Sequence, residues 1–79
     1  MCTVDVYWKN IKVGSGTGTN GSDTISSFTA LGVLPSLQGR RVRVVATSST
    51  NLGETMNPVR IVTDSVTSLV MNHLFKLTT

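Results

Sequence analysis

The sequence predicts an all-β domain, a small antiparallel sandwich or barrel of about five to six strands joined by long polar loops. Three observations predict it. Apolar residues recur with a period of two in several short runs, β-branched residues crowd the stretches around Val59 and Val66, and turn-forming residues punctuate the chain at intervals of roughly ten positions. Helical periodicity is scarce.

From Thr3 to Lys9, Val4, Val6 and Trp8 alternate with Asp5, Tyr7 and Lys9, the pattern of a half-buried strand. Ile11 to Val13 either continues it after a bend at Asn10 or forms a short separate strand. Gly14 to Asp23 (GSGTGTNGSD) carries no apolar side chain, so it is expected to bury nothing and to form an exposed, mobile loop. Thr24 to Thr29 reads as the next strand, anchored by Ile25 and Phe28. Those two fall on opposite parities, which a bulge or a two-sided environment reconciles.

In Ala30 to Gly39, Gly32, Pro35 and Gly39 forbid a long helix while Leu31, Leu34 and Leu37 recur three apart, which suits one irregular or 3₁₀-like turn against the core. Arg40 to Thr47 is the clearest strand. There Val42, Val44 and Ala46 alternate with Arg41, Arg43 and Val45, giving one buried and one basic face. Ser48 to Pro58 reads as a second long connection, yet it holds Leu52 and Met56, which a solvated loop does not need. Val59 to Thr63 and Val66 to Met71 form a hairpin turning at Asp64-Ser65, and His73 to Leu77 is expected to close the sheet as a last short strand.

With 79 residues, 39% of them hydrophobic, the chain supplies one core and therefore one domain, residues 1–79. A core of this size yields about 3–5 kcal/mol, and small natural domains usually add disulfides, a metal or self-association. Cys2 has no partner for a disulfide, and no cysteine or histidine cluster stands beside His73 to hold zinc, so neither a metal nor another cofactor is expected. Self-association remains. Charged residues are 14% of the chain against about 25% in an ordinary soluble domain, a surface suited to meeting other surfaces. No run approaches the ~20 apolar residues of a membrane span, and the opening residues lack the pattern of a secretory leader, so synthesis in the cytoplasm without membrane insertion is expected.

Gly16-Thr17-Gly18-Thr19-Asn20-Gly21 has the spacing of a dinucleotide-binding loop, but the residues after it lack helical periodicity and no acidic residue follows about twenty positions on. The spacing alone carries nothing. Catalysis is not expected either, because the single histidine, His73, sits in an apolar-flanked segment without a neighbouring carboxylate, and a β-domain this small has little room for a water-excluding cleft. Net charge is +3, with Arg40, Arg41, Arg43 and Arg60 concentrated and the acids dispersed. A basic stripe of Arg41, Arg43 and Arg60 can neutralise phosphates beside Tyr7 and Trp8, but arginine is also the cation favoured at protein interfaces, and that use is preferred here. The expected protein-interface residues are Trp8, Arg41, Arg43, Leu52, Met56, Arg60 and Phe75, the bulky ones as anchors.

The segment Gly39-Arg40-Arg41-Val42-Arg43-Val44-Val45-Ala46-Thr47-Ser48-Ser49-Thr50, followed by Asn57-Pro58-Val59-Arg60-Ile61-Val62-Thr63-Asp64, resembles small virion proteins of tailed bacteriophages, β-rich proteins that decorate or cement the capsid. The likeness covers about half the chain and lies in its general character, with a basic "G+xVxVxATS" strand leaving into a long loop and then a "VRIVTD" arm. It implies a non-enzymatic homotrimer on the capsid surface, made in the host cytoplasm, with itself and the major capsid protein as partners. The sequence also leaves open a tail or baseplate position in place of the capsid. The other reading of the same residues is a β-barrel holding single-stranded nucleic acid or a glycan through Arg41, Arg43, Arg60 and Tyr7.

Overall fold

The structure, a computed structural model, describes residues 2–33, 35–47, 54–65 and 67–76, with 54–57 described by backbone alone. Strands β1 (Cys2–Trp8), β2 (Ile11–Gly18), β3 (Thr24–Ala30), β4 (Arg41–Thr47), β5 (Glu54–Ser65) and β6 (Ser68–Met71) make up the elements. All pair antiparallel, in the neighbour order β1-β2-β3-β6-β5-β4, and β4 returns to β1 to close a barrel. The first three strands are a meander, and the connection Leu31 to Arg40 carries β4 back beside β1, which is a Greek key. The all-β antiparallel barrel predicted from the pattern is the architecture that forms.

Alternation decides which side chains enter. Val4 and Val6 of β1, and Val42, Val44 and Ala46 of β4, point into the barrel, while Tyr7, Arg41 and Arg43 lie on its outer wall. In β3 a bulge resolves the parity conflict of Ile25 and Phe28. Ser15 faces Thr29 and Thr17 faces Ser26, so β3 carries one extra residue, and Ser27 adopts φ 54° within it. Both anchors are thereby buried.

The glycine-rich stretch corrects the expectation of a mobile loop. Residues 14–18 are strand, paired to β1 on one side and β3 on the other. Gly14, Gly16 and Gly18 share the inward parity and Ser15 and Thr17 the outward one. A Cβ on Gly14 would run into the Phe28 ring and lie 2.7 Å from the Thr29 carbonyl oxygen, and a Cβ on Gly18 would lie 2.7 Å from the Phe75 ring. An apolar count misses such a strand, because the apolar atoms it packs against belong to neighbours.

Other boundaries move as well. Asp64 and Ser65 lie in β5, paired with Leu69 and Ser68, so the β5–β6 hairpin does not turn at Asp64-Ser65. The strand β5 starts at Glu54, so much of the expected second loop is strand, and residues 48–53 lie outside the described residues. Extra residues in β5 opposite Val42/Val44 and between Ile61 and Thr63 bend this 12-residue strand, so that its first part pairs with β4 and its second with β6. The segment after Met71 is irregular through Lys76, in place of the expected final strand over His73 to Leu77; it is held by Phe75, whose N–H donates to the Ser22 carbonyl at 2.7 Å while its own carbonyl accepts from Gly21 N–H at 2.8 Å.

Phe75, Ile25, Leu37, Ile61, Leu69 and Met71 are the largest wholly enclosed side chains. Leu37 is the apolar plug of the Leu31 to Arg40 connection, its N–H donating to Asp64 Oδ2 at 2.7 Å. Leu31 is exposed, so the expected leucine triplet does not enter the core as a unit, and Leu34 lies outside the described residues.

Candidate interaction surface

The tight turn after β1 starts the site. Trp8 faces Ile11, leaving Lys9 and Asn10 as the two turn residues with φ 55° and 66°, the left-handed pair that a type I′ hairpin needs. Such a turn matches the twist of the strands and sets Lys9 and Asn10 at the rim beside Tyr7. Across β1 and β4, Tyr7 and Arg43 are register partners, and the Arg43 guanidinium lies 4.3 Å from the Tyr7 ring centroid. Across β4 and β5, Arg41 is the register partner of Arg60. Tyr7, Arg41 and Arg43, with Lys9, Asn10, Val42 and Pro58, line a shallow open pocket of about 150 Å³, and Arg60 stands outside it.

Among the described residues its charge is uncompensated. Among the described residues the ion pair formed is Lys12 with Asp5 at 3.2 Å, on the β1–β2 face, and no described carboxylate lies within 4 Å of Arg41, Arg43 or Arg60. Arg40 is placed differently: its Nε–H donates to the Ser36 carbonyl at 2.8 Å and its guanidinium lies 4.7 Å from the Trp8 ring centroid. Lys9 Nζ stands 4.8 Å from the same ring. Trp8 is half-buried, packed against the core below and covered by these cations.

A second feature lies at the same barrel end. The β1–β2 turn, the end of β3 and the connection after it are there together, because Leu31 N–H continues the β2–β3 ladder by donating to the Val13 carbonyl at 2.9 Å. Ile11, Leu31 and Val33 are 67%, 57% and 102% exposed, an apolar rim facing solvent.

Of the residues expected at an interface, the structure brings together Arg41, Arg43 and Arg60, while Trp8 packs against the core and carries Lys9 and Arg40. Phe75 is a correction: at 1% exposure it fills the core against Gly18, and it cannot serve as a surface anchor. The backbone of Met56 faces Val44 in β5, its side chain and all of Leu52 lying outside the described residues. Lys9, Asn10, Ile11 and Val33 belong to the surface although the sequence pattern does not single them out. Lys-Asn between Trp8 and Ile11, two β-prone residues, is the local signal for the turn.

His73 is half-buried between the end of β6 and Phe75, and the described residues contain no group of three or more His, Cys, Asp or Glu that could hold a metal ion. Gly16 to Gly21 runs from strand into turn, without the helix N-terminus that a pyrophosphate loop requires. Among the described residues no helix is long and apolar enough to cross a membrane. Comparison with protein-family models, curated proteins and solved structures finds no match to this chain.

Proposed function

We propose that this is a non-enzymatic structural protein of a virion, a decoration protein that stabilises a phage head through protein–protein contacts as a homotrimer. The observation that carries the reading is the apolar rim of Ile11, Leu31 and Val33 at the end of a closed barrel. Closure matters because a barrel has no free strand edge for another chain to extend, so association must use side-chain surfaces. Apolar surface grouped at one place is the usual mark of a contact site. The likeness of residues 39–50 and 57–64 to small phage virion proteins supports the same reading, with the major capsid protein as second partner.

Light scattering on the purified chain tests it. A particle of three times the 8.4 kDa chain mass is expected, with a melting temperature that rises with protein concentration. A monomer whose unfolding ignores concentration sinks the proposal.

The arginines, which no described carboxylate pairs, favour a second reading, a barrel that binds single-stranded nucleic acid or a glycan along Arg41, Arg43 and Arg60. Binding of a labelled oligonucleotide that weakens steeply with added salt is its expected signature, and no binding at low salt removes it.

A further inference from the structure

We infer that the outer wall bearing Arg41, Arg43 and Arg60 is a receptor for an extended acidic segment of another protein, one with Asp or Glu at alternate positions. This rests on the protein–protein reading above and names the partner's chemistry.

The first argument is the juxtaposition of like charges. Arg41 and Arg60 are directly opposed across β4 and β5, and like charges so placed destabilise a sheet. No described carboxylate relieves them. A bound anion between the two guanidinium groups removes the repulsion and gains charge-assisted hydrogen bonds, so the fold is set to favour the occupied state.

The second argument makes another copy of this chain a poor source of the anion. The chain has four acidic residues. Asp5 is paired with Lys12, Asp64 accepts from Leu37 N–H, and Asp23 accepts from the Thr24 hydroxyl at 3.2 Å, so three are already engaged inside their own subunit. A two-fold self-contact through this wall would bring arginine against arginine.

The third argument separates carboxylates from nucleic acid. Sequence-tolerant binding of single strands relies on aromatic faces on which bases stack. Here Tyr7 carries the Arg43 guanidinium at 4.3 Å, and Trp8 carries Lys9 and Arg40 while resting on the core. The stacking platforms are spent on the chain's own cations. Stacking also covers the ring-facing surface of Arg43 and leaves its N–H edges without a partner among the described residues, the presentation that suits a bidentate carboxylate.

Spacing defines the ligand further. Arg41 and Arg43 are two residues apart on one strand, about 7 Å, and an extended peptide repeats its same-side carboxylates at that interval.

Fluorescence anisotropy with a labelled peptide of alternating Glu and Thr, read at low and physiological salt, tests this on the full chain. The Glu peptide is expected to bind and the same peptide with Gln for Glu is not. Arg41→Glu and Arg60→Glu should each weaken binding at least about tenfold, whereas Lys76→Glu, an equal charge change in the irregular segment after β6, should stay within about twofold. Arg41→Gln, with circular dichroism to confirm the barrel, guards against a variant that fails to fold. Absence of Glu-peptide binding at low salt overturns the inference, as does an equal loss in Lys76→Glu, which would mean undirected charge attraction. Tighter binding of an oligothymidylate than of the Glu peptide overturns it in favour of nucleic acid. Light scattering reads the apolar rim and not this wall, so a monomer that still binds the peptide would fail the trimer and keep the acidic receptor.

Discussion

Three glycines of β2 show how much one carbon atom decides. Gly14 and Gly18 give up side chains so that the rings of Phe28 and Phe75 can lie against the strand backbone. Gly18→Ala is therefore expected to destabilise the fold by about 1–3 kcal/mol, since the Phe75 ring must move in a filled core. Urea unfolding checks it, with Ser15→Ala on the outer wall as a neighbour that should change little. The reciprocal deletion is larger: Phe75→Ala removes the core's biggest enclosed side chain, and a loss of about 3–5 kcal/mol is expected in the same assay. Asp64 works through one hydrogen bond to Leu37 N–H, which ties the Leu31 to Arg40 connection to β5. Asp64→Ala should cost about 1–3 kcal/mol and Asp64→Asn, which keeps an acceptor, clearly less. Equal losses in the two would show that the acceptor is not what matters.

Among the elements, turns and bulges do what the hydrophobic pattern alone does not. The β1–β2 hairpin places two non-glycine residues in the left-handed region, at a cost that glycine avoids. Asn10→Gly should raise stability by about 0.5–1 kcal/mol, and Asn10→Val should lower it by more, both measurable as shifts in the denaturant midpoint. The same turn carries Lys9 and Asn10 to the pocket, so the stability of the hairpin and the shape of the basic wall are linked. In β3 the bulge at Ser27 turns two anchors of opposite parity to one interior, and in β5 two extra residues let one strand serve both halves of the barrel. Irregularities of this kind re-aim side chains and are part of how a small sheet closes.

Over the whole molecule, closure and a small charge complement point to contact surfaces at two places: an apolar rim and a basic wall. Because they differ in chemistry, they should respond to different perturbations. Replacing Ile11 and Val33 together by Ser is expected to lower the particle mass in light scattering to that of one chain while leaving peptide binding at the arginine wall intact. Both side chains are largely exposed, so the substitution removes little from the core and the monomer should retain its barrel by circular dichroism. An unchanged particle mass would show that the rim is not the self-contact.

The all-β class, the alternation in β1 and β4, the β5–β6 hairpin and the basic character of one strand face were written in the sequence, because a period of two sorts side chains locally whatever lies beyond. The parity conflict of Ile25 and Phe28 left a bulge or a two-sided environment open, and the structure has the bulge. Only the tertiary structure decided that the glycine run is a strand, that Phe75 belongs to the core, and that Arg41 stands opposite Arg60. Each of these depends on atoms far away in the chain: rings that fill the space of missing side chains, a cavity that needs a late aromatic residue, and a register set by bulges in a neighbouring strand. Local pattern carries the type of an element, and the packing of distant residues carries its partners.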